Sequence, residues 1–122
     1  MTLTQADIDQ SRISENNYSH SIGSLKINYT DGVYLVATES KAFWLLNVIL
    51  SYQIYPVLNS HELKRFQLWE LTVNEDKSAL VTCRKSENSS IIFSQKFEKT
   101  DFPLPLLQLY LIDGTLMLPS EN

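Results

Sequence analysis

From Ser40 to Tyr55 the chain reads Ser-Lys-Ala-Phe-Trp-Leu-Leu-Asn-Val-Ile-Leu-Ser-Tyr-Gln-Ile-Tyr, the one stretch long and apolar enough to form a central helix. Ala42, Leu45, Leu46, Ile49 and Leu50 recur at the i, i+3, i+4 spacing of a single helical face. Thr38 or Ser40 offers an oxygen to the free amides of the first turn, and Glu39 sits at the positive end of the dipole. Pro56 disfavours helical geometry at Tyr55, so the predicted helix stops there. Phe43, Val48, Tyr52 and Ile54 widen the apolar surface until a narrow stripe remains, Asn47 and Ser51, prolonged at its ends by Trp44 and Tyr55. A helix apolar over so much of its girth is buried on more than one side. Its stripe of Trp44, Asn47, Ser51 and Tyr55 is the candidate partner interface, because aromatic residues are enriched at interfaces and their hot spots. The run is too short for a membrane span of about twenty apolar residues, and Asn47, Ser51 and Gln53 interrupt it.

The remaining pattern alternates with period two. Leu25, Ile27 and Tyr29 predict a strand, as do Trp69, Leu71 and Val73 within 66–73, Ala79, Val81 and Cys83 within 79–85, and Ile91, Phe93 and Phe97 within 91–97. Leu107, Leu109 and Leu111 alternate up to Asp113-Gly114, and Leu116 and Leu118 alternate after it, the pattern of a hairpin. Thr30-Asp31-Gly32 reads two ways, as a hairpin turn or as the cap of a short helix through Val33, Val36 and Ala37. Ahead of these, Leu3 to about Ser14 predicts a short helix, with Thr4 as its cap, Asp7 answering three residues on, and Leu3 stapled to Ile8. Residues 14–24 read as a loop anchored by Tyr18 and Ile22, and 57–61 as another. Two prolines make 99–105 irregular. The predicted fold is α+β: an antiparallel sheet of about five strands, a meander with a C-terminal hairpin, packed on one long central helix. It forms one domain over 1–122, with 1–24 peripheral, 25–56 carrying a strand or short helix plus the central helix, and 66–118 the strands. The 99–105 connection can cross to either edge, which leaves the strand order open.

Composition narrows the function more by exclusion than by direction. A hydrophobic fraction of 43% with three glycines belongs to a folded globule. The formal charge of -4 is spread along the chain, and Lys64-Arg65 and Arg84-Lys85 are isolated pairs. Binding to a phosphate backbone depends on clustered cations, so direct contact with nucleic acid is not expected. Cys83 is the single cysteine, which rules out an internal disulfide. The first residues lack the basic and apolar regions of a secretion signal, so a cytoplasmic location is expected and the acceptor patterns at Asn17, Asn28 and Asn88 are chance matches.

Candidate chemistry is sparse. His61-Glu62 opens like a zinc-protease helix but has no second histidine, and a site of His20, His61 and Cys83 would need three distant segments to converge. Cys83 alternates with Ala79 and Val81, the register of a small buried hydrophobe. No phosphate-cradling glycine loop exists, and nothing in the sequence brings Glu70 together with Asp101 or Glu98 as paired carboxylates. No cofactor, metal or catalytic residue is assigned. The leading reading is a non-catalytic interaction module, with a protein partner or a second copy on the Trp44 stripe. The alternative is a small enzyme or ligand-binding domain with a pocket between helix and sheet near Tyr52, Trp69 and Asp101. A third reading is an acidic inhibitor of a nucleic-acid-binding system, which needs the acids to cluster on one surface.

Tyr29-Thr30-Asp31-Gly32-Val33, Ala42-Phe43-Trp44-Leu45-Leu46, Ser51-Tyr52-Gln53, Phe66-Gln67-Leu68-Trp69, Thr100-Asp101-Phe102-Pro103-Leu104 and Leu118-Pro119-Ser120-Glu121 form a distinctive set. In these elements the chain resembles an uncharacterised family of small bacterial proteins, found among cyanobacteria and other bacteria. The family has no assigned activity, so no functional residue carries over. The resemblance implies a short helix rather than a hairpin at 30–38. Asn47 and Leu50 depart from the family pattern, where an acidic and a small residue are expected.

Overall fold

The computed structural model describes residues 3–9 and 16–122. In chain order its elements are α1 (Gln5–Asp9), β1 (Asn17–Ile22), β2 (Leu25–Thr30), α2 (Asp31–Glu39) and α3 (Phe43–Tyr52). A 3₁₀ turn (Pro56–Asn59), α4 (His61–Arg65), β3 (Phe66–Val73), β4 (Ala79–Arg84) and β5 (Ile91–Phe97) follow. The chain closes with β6 (Leu106–Ile112), β7 (Thr115–Met117) and a last 3₁₀ turn (Pro119–Glu121). This is a mixed α/β fold with seven strands instead of five, ordered β1-β2-β7-β6-β3-β4-β5. Every neighbouring pair is antiparallel except β2 and β7, which run parallel through Asn28–Thr115 and Tyr29–Leu116. The 99–105 connection carries the chain from the β5 edge back across to the far side of β3.

The central helix is shorter than the predicted 40–55: α3 covers only Phe43–Tyr52, and α2 ahead of it is the short helix expected over 30–38. Lys41 adopts a left-handed backbone (φ 55°), and the Ala42 N–H donates to the Ala37 carbonyl at 2.9 Å. That six-to-one bond across a left-handed residue is a Schellman closure. Thr38 and Ser40, expected as caps of the next helix, instead turn back: the Thr38 hydroxyl donates to the Tyr34 carbonyl at 2.8 Å, and Ser40 to that of Val36. Glycine is the usual signal for such a stop, and a lysine in its place gives none. At the other end α3 finishes at Tyr52. Pro56 acts only on Tyr55, which is extended (φ -73°, ψ 132°) and starts the 3₁₀ turn.

Three other segments depart from expectation or resolve it. The loop predicted over 14–24 holds β1, a strand with a mostly polar, exposed pattern, hydrogen-bonded to β2 through a two-residue turn at Gly23 (φ 58°). Tyr18 is half-buried there, whereas Ile22 is exposed. The loop predicted over 57–61 holds the 3₁₀ turn and the start of α4, which Ser60 caps by accepting from the Leu63 N–H at 3.3 Å. Thr30-Asp31-Gly32 starts a helix: Thr30 is the N-cap of α2, its hydroxyl accepting from the Val33 N–H at 3.4 Å. At the N-terminus Thr4 and Asp7 form the predicted reciprocal cap, with the Thr4 N–H donating to Asp7 at 2.9 Å and the Asp7 N–H to Thr4 at 3.3 Å. The rest of that predicted helix reaches into residues 10–15, outside the described residues.

The two sheet edges meet the same helix. Asn47 on α3 bonds His20 of β1 at 2.6 Å. Trp44 and Tyr52, also on α3, touch Phe97 and Phe93 of β5 with ring centroids 5.1 and 4.8 Å apart. A flat seven-stranded sheet would hold its edges six spacings apart, about 29 Å, whereas a helix is only about 10 Å across. The sheet therefore curls around α3. Its inward register carries Ile27 and Tyr29, Trp69 and Leu71, Val81 and Cys83, Leu107 and Leu109, and Leu116, all buried against Leu45, Leu46, Ile49 and Leu50. Each such aliphatic side chain contributes roughly 1.5–3 kcal/mol.

Candidate functional site

Curling leaves one long side of α3 uncovered between the two edges, and the predicted stripe lies there. Asn47 and Ser51 are exposed. The Ser51 hydroxyl donates its one proton to the Val48 carbonyl at 2.8 Å and keeps only acceptor capacity, and Asn47 is engaged by His20. Trp44 is half-buried against Phe97. Tyr55 lies past the helix end, 46% exposed, with its ring 5.2 Å from Phe93 and 5.7 Å from Tyr52. Trp44, Phe97, Phe93, Tyr52 and Tyr55 thus form an aromatic seam along the junction of α3 and β5. Beyond the stripe, Ile54 is 60% exposed and Val57 46%, next to Tyr55, and Ile91 of β5 is 54% exposed on the sheet's outer side, opposite Arg84.

Ile91 owes its exposure to a register shift. Between Cys83 and Arg84 the β4–β5 pairing skips a residue, so Ile91 stands opposite Arg84 while Phe93 stands opposite Cys83. A bulge of this kind turns the extra residue out of phase with the pleat. β5 is also the end strand of the sheet, so among the described residues one side of its backbone has no strand beside it.

The alternative pocket residues separate. Tyr52 and Trp69 are in ring contact, with centroids 5.8 Å apart. Trp69 is 2% exposed, and the Tyr52 hydroxyl is spent on Gln95 at 3.0 Å. Asp101 is exposed in the 99–105 connection, which the Thr100 N–H ties to the Lys77 carbonyl at 2.8 Å. Lys77 lies beyond the end of β3, and Trp69 to Val73 alone spans about 13 Å of that strand.

A concavity between helix and sheet does exist elsewhere. About 420 Å³ in volume, it is lined by Lys26, Gln53, Asn59, Lys64 and Gln67 among others. Its two glutamines face each other as a cyclic amide pair, Gln53 donating to Gln67 at 3.0 Å and Gln67 to Gln53 at 2.9 Å. Gln67 also donates to the Leu63 carbonyl at 3.0 Å and accepts from the Trp69 indole at 2.9 Å, and Gln53 donates to the Ile49 carbonyl at 3.0 Å. These amides tie α3, α4 and β3 together and have little capacity left for a ligand. Gln67 had a readable signal, a polar residue in the same inward phase as Trp69 and Leu71; Gln53, past the helix end, had none.

A second lock joins the ends of the chain. Glu121, 8% exposed, accepts from the Thr30 hydroxyl at 2.6 Å, the Gly32 N–H at 3.0 Å and the Leu118 N–H at 2.9 Å. The carboxylate thereby sits at the positive end of α2. A Cβ on Gly32 would lie 2.6 Å from the Glu121 carboxyl carbon, so only glycine fits there. Nearby, Tyr18 stacks on Tyr34 and Tyr29, with centroids 4.4 and 5.3 Å apart. Desolvation, then the hydrogen bond to Asp31, raises the Tyr18 pKa above its ordinary value. On the opposite, outer face of the sheet Glu70 pairs with Arg84 and accepts from Gln108 at 3.0 Å.

Among the described residues, no group of three or more His, Cys, Asp and Glu side chains gathers as a metal site, and no helix is long and apolar enough to cross a membrane. His20 is engaged with Asn47, and His61 is exposed on α4. Cys83 is fully buried, and burial pushes its thiol up to about 12, far from the thiolate a nucleophile requires.

Fold and site together define an α/β domain whose helix is held in a curled, mostly antiparallel sheet and whose distinctive residues are spent on internal locks and one aromatic seam. The chain belongs to the family of unknown function DUF6876, whose model matches residues 2–122. No curated protein and no solved structure matches it.

Proposed function

We propose that this protein is a non-catalytic interaction module that docks a protein partner, a second copy included, through the α3–β5 seam. The observation that carries the reading is the exposure of Ile54, Tyr55 and Val57 at the end of the aromatic seam, beside an edge strand that itself exposes Ile91. Contiguous exposed apolar surface of this kind marks interaction sites, and aromatic anchors dominate their energetics. The predicted stripe contributes its two aromatic ends, Trp44 and Tyr55, while Asn47 and Ser51 form the polar rim. A cytoplasmic setting is in keeping with a lone, buried, unpaired cysteine.

The ligand-binding or enzymatic alternative has the concavity at Gln53 and Gln67 in its favour. It ranks lower because both amides are occupied with each other and with the backbone. The acidic-inhibitor reading ranks lower still, since Glu121 and Glu70 are held by internal partners and Glu62 pairs with Lys85 at 2.7 Å.

The test uses the double variant Ile54→Ser/Tyr55→Ser, which changes only exposed side chains. Immobilised wild-type and variant protein are compared for retention of partners from nuclease-treated extract of the native host, and for self-association in parallel. Binding that is lost in a variant melting like wild type supports the seam. Equal binding by both proteins, or none by either, overturns it.

A further inference from the structure

We infer that the occupant of the seam is a second copy of this chain, joined by antiparallel pairing of β5 with β5 about a two-fold axis at Ser94. The inference rests on the docking role of the seam and names its partner.

Both end strands offer unpaired backbone, but they differ in how they are guarded. β1 presents Asn17, Ser19, His20 and Ser21, the polar, short kind of edge that natural sheets use to avoid pairing. β5 carries one charge in seven residues, Lys96, and exposes Ile91. The register shift irregularises only its Ile91 end; over Phe93–Phe97 the edge is regular and guarded by Lys96 alone, which calls for a strand beside it. β5 against β5 forms a closed, self-complementary contact, whereas β5 against a neighbour's β1 would run head to tail and leave a free edge at every step.

The axis follows from length and charge. Ser94 is the middle residue of β5, small and exposed, so centring on it pairs the most backbone without a clash. It also keeps the two Lys96 ammonium groups about 14 Å apart along the strands, beyond the roughly 8–10 Å reach of charge in physiological salt. An axis at Gln95 brings them to the roughly 8 Å diagonal of a ladder, and an axis at Lys96 sets them face to face. With Ser94 on the axis, the Trp44–Phe97 end of one copy meets the Phe93–Tyr55 end of the other.

The size fits a specific but modest dimer. A seven-residue edge is about 24 Å long, and sheet plus helix side chains make it about 20 Å deep. That covers on the order of 500 Å² per copy and 1,000 Å² in all, the lower end of specific interfaces, where micromolar dissociation is expected.

The test combines sedimentation equilibrium from 1 to 200 µM, about the range implied by that affinity, with mild oxidation of Ser94→Cys. Opposed residues of an antiparallel pair have Cα atoms about 4.5–5.5 Å apart, inside the range a disulfide spans. The native Cys83 is buried and does not compete. Reversible monomer–dimer behaviour, a Ser94→Cys covalent dimer, and no cross-link from Ser19→Cys on β1 are the expected results. A wild-type monomer at every concentration overturns self-pairing, while partner capture sensitive to Ile54→Ser/Tyr55→Ser would still leave the docking reading standing. A dimer sensitive to that double variant, with no Ser94→Cys cross-link, overturns the β5 pairing and keeps the seam.

Discussion

Replacing Gly32 by alanine should destabilise the protein, and the penalty should vanish when Glu121 is also removed. In an open helix Gly→Ala stabilises by up to about 1 kcal/mol. Here the new methyl would stand 2.6 Å from the Glu121 carboxyl carbon and 2.8 Å from Leu118 Cδ1. Overpacking of that kind costs about 1–3 kcal/mol. Any retreat of Glu121 also strands the Gly32 and Leu118 N–H groups, at about 1–3 kcal/mol for each buried donor left unsatisfied. The sum favours a net loss of about 2–4 kcal/mol for Gly32→Ala, and Glu121→Ala alone should lose a similar amount. With Glu121 already gone its clash is gone, and the Leu118 methyl, 2.8 Å from the new carbon, can turn into the vacated space, so adding Gly32→Ala should change stability by less than about 1 kcal/mol, a coupling of about 2–3 kcal/mol between the two sites. Urea denaturation of the wild type, both single variants and the double variant reads all four corners. Additive losses, or a wild-type background in which Gly32→Ala stabilises, would show that Glu121 does not fill the space over Gly32.

Three further outcomes follow from the same geometry. Gln67→Ala should cost about 2–4 kcal/mol, because the Trp69 indole N–H and the Leu63 carbonyl lose their partner; a double-mutant cycle with Gln53→Ala that shows no coupling would sink the amide pair. Lys41→Gly should raise stability by about 0.5–1 kcal/mol, since relief of left-handed strain at about 1–2 kcal/mol exceeds the entropy cost of glycine; a lowered melting temperature would contradict the Schellman closure. Cys83 titrates near 12 in the folded chain against 9.0 for a free thiol, so between those values the unfolded state sheds a proton that the folded state keeps. Stability should therefore fall with rising pH, by about 1.4 kcal/mol per unit above pH ~9. Urea midpoints at pH 8 and 10.5 should show wild type losing about 2 kcal/mol more than Cys83→Ala, and parallel losses would mean the thiol is not buried.

What the sequence made legible was period and local caps. The alternation of Trp69, Leu71, Val81, Cys83, Leu107 and Leu109 placed the inward faces of three inner strands, β3, β4 and β6, against the core, and the Thr4–Asp7 pair placed α1. Long-range backbone pairing was not legible. β1 is held by hydrogen bonds to β2, while its side chains are mostly polar, so no apolar period announces it. The sequence pattern starts α3 at Ser40 instead of Phe43 because the junction with α2 turns on one φ angle at Lys41, a residue type with no preference for it. Several residues of the distinctive sequence elements became intelligible only in three dimensions: Thr30 and Gly32 meet Glu121, and Gln53 meets Gln67 and, through it, Trp69. Those contacts give these residues structural work without implying chemistry. The seam was half legible. Trp44 and Tyr55 stood out on a helical wheel, but Ile54 and Val57 gained exposure from the early end of α3, and Ile91 from a bulge that depends on the neighbouring strand.

The measurement that bears most directly on docking through the α3–β5 seam is amide hydrogen exchange, read residue by residue at low and high protein concentration. Self-association through the seam predicts slower exchange on concentration for amides on the open side of β5 and in residues 52–57, with the β1 amides unchanged. Exchange that is insensitive to concentration, or protection that appears along β1 or on the outer face around Glu70 and Arg84 instead, would contradict it.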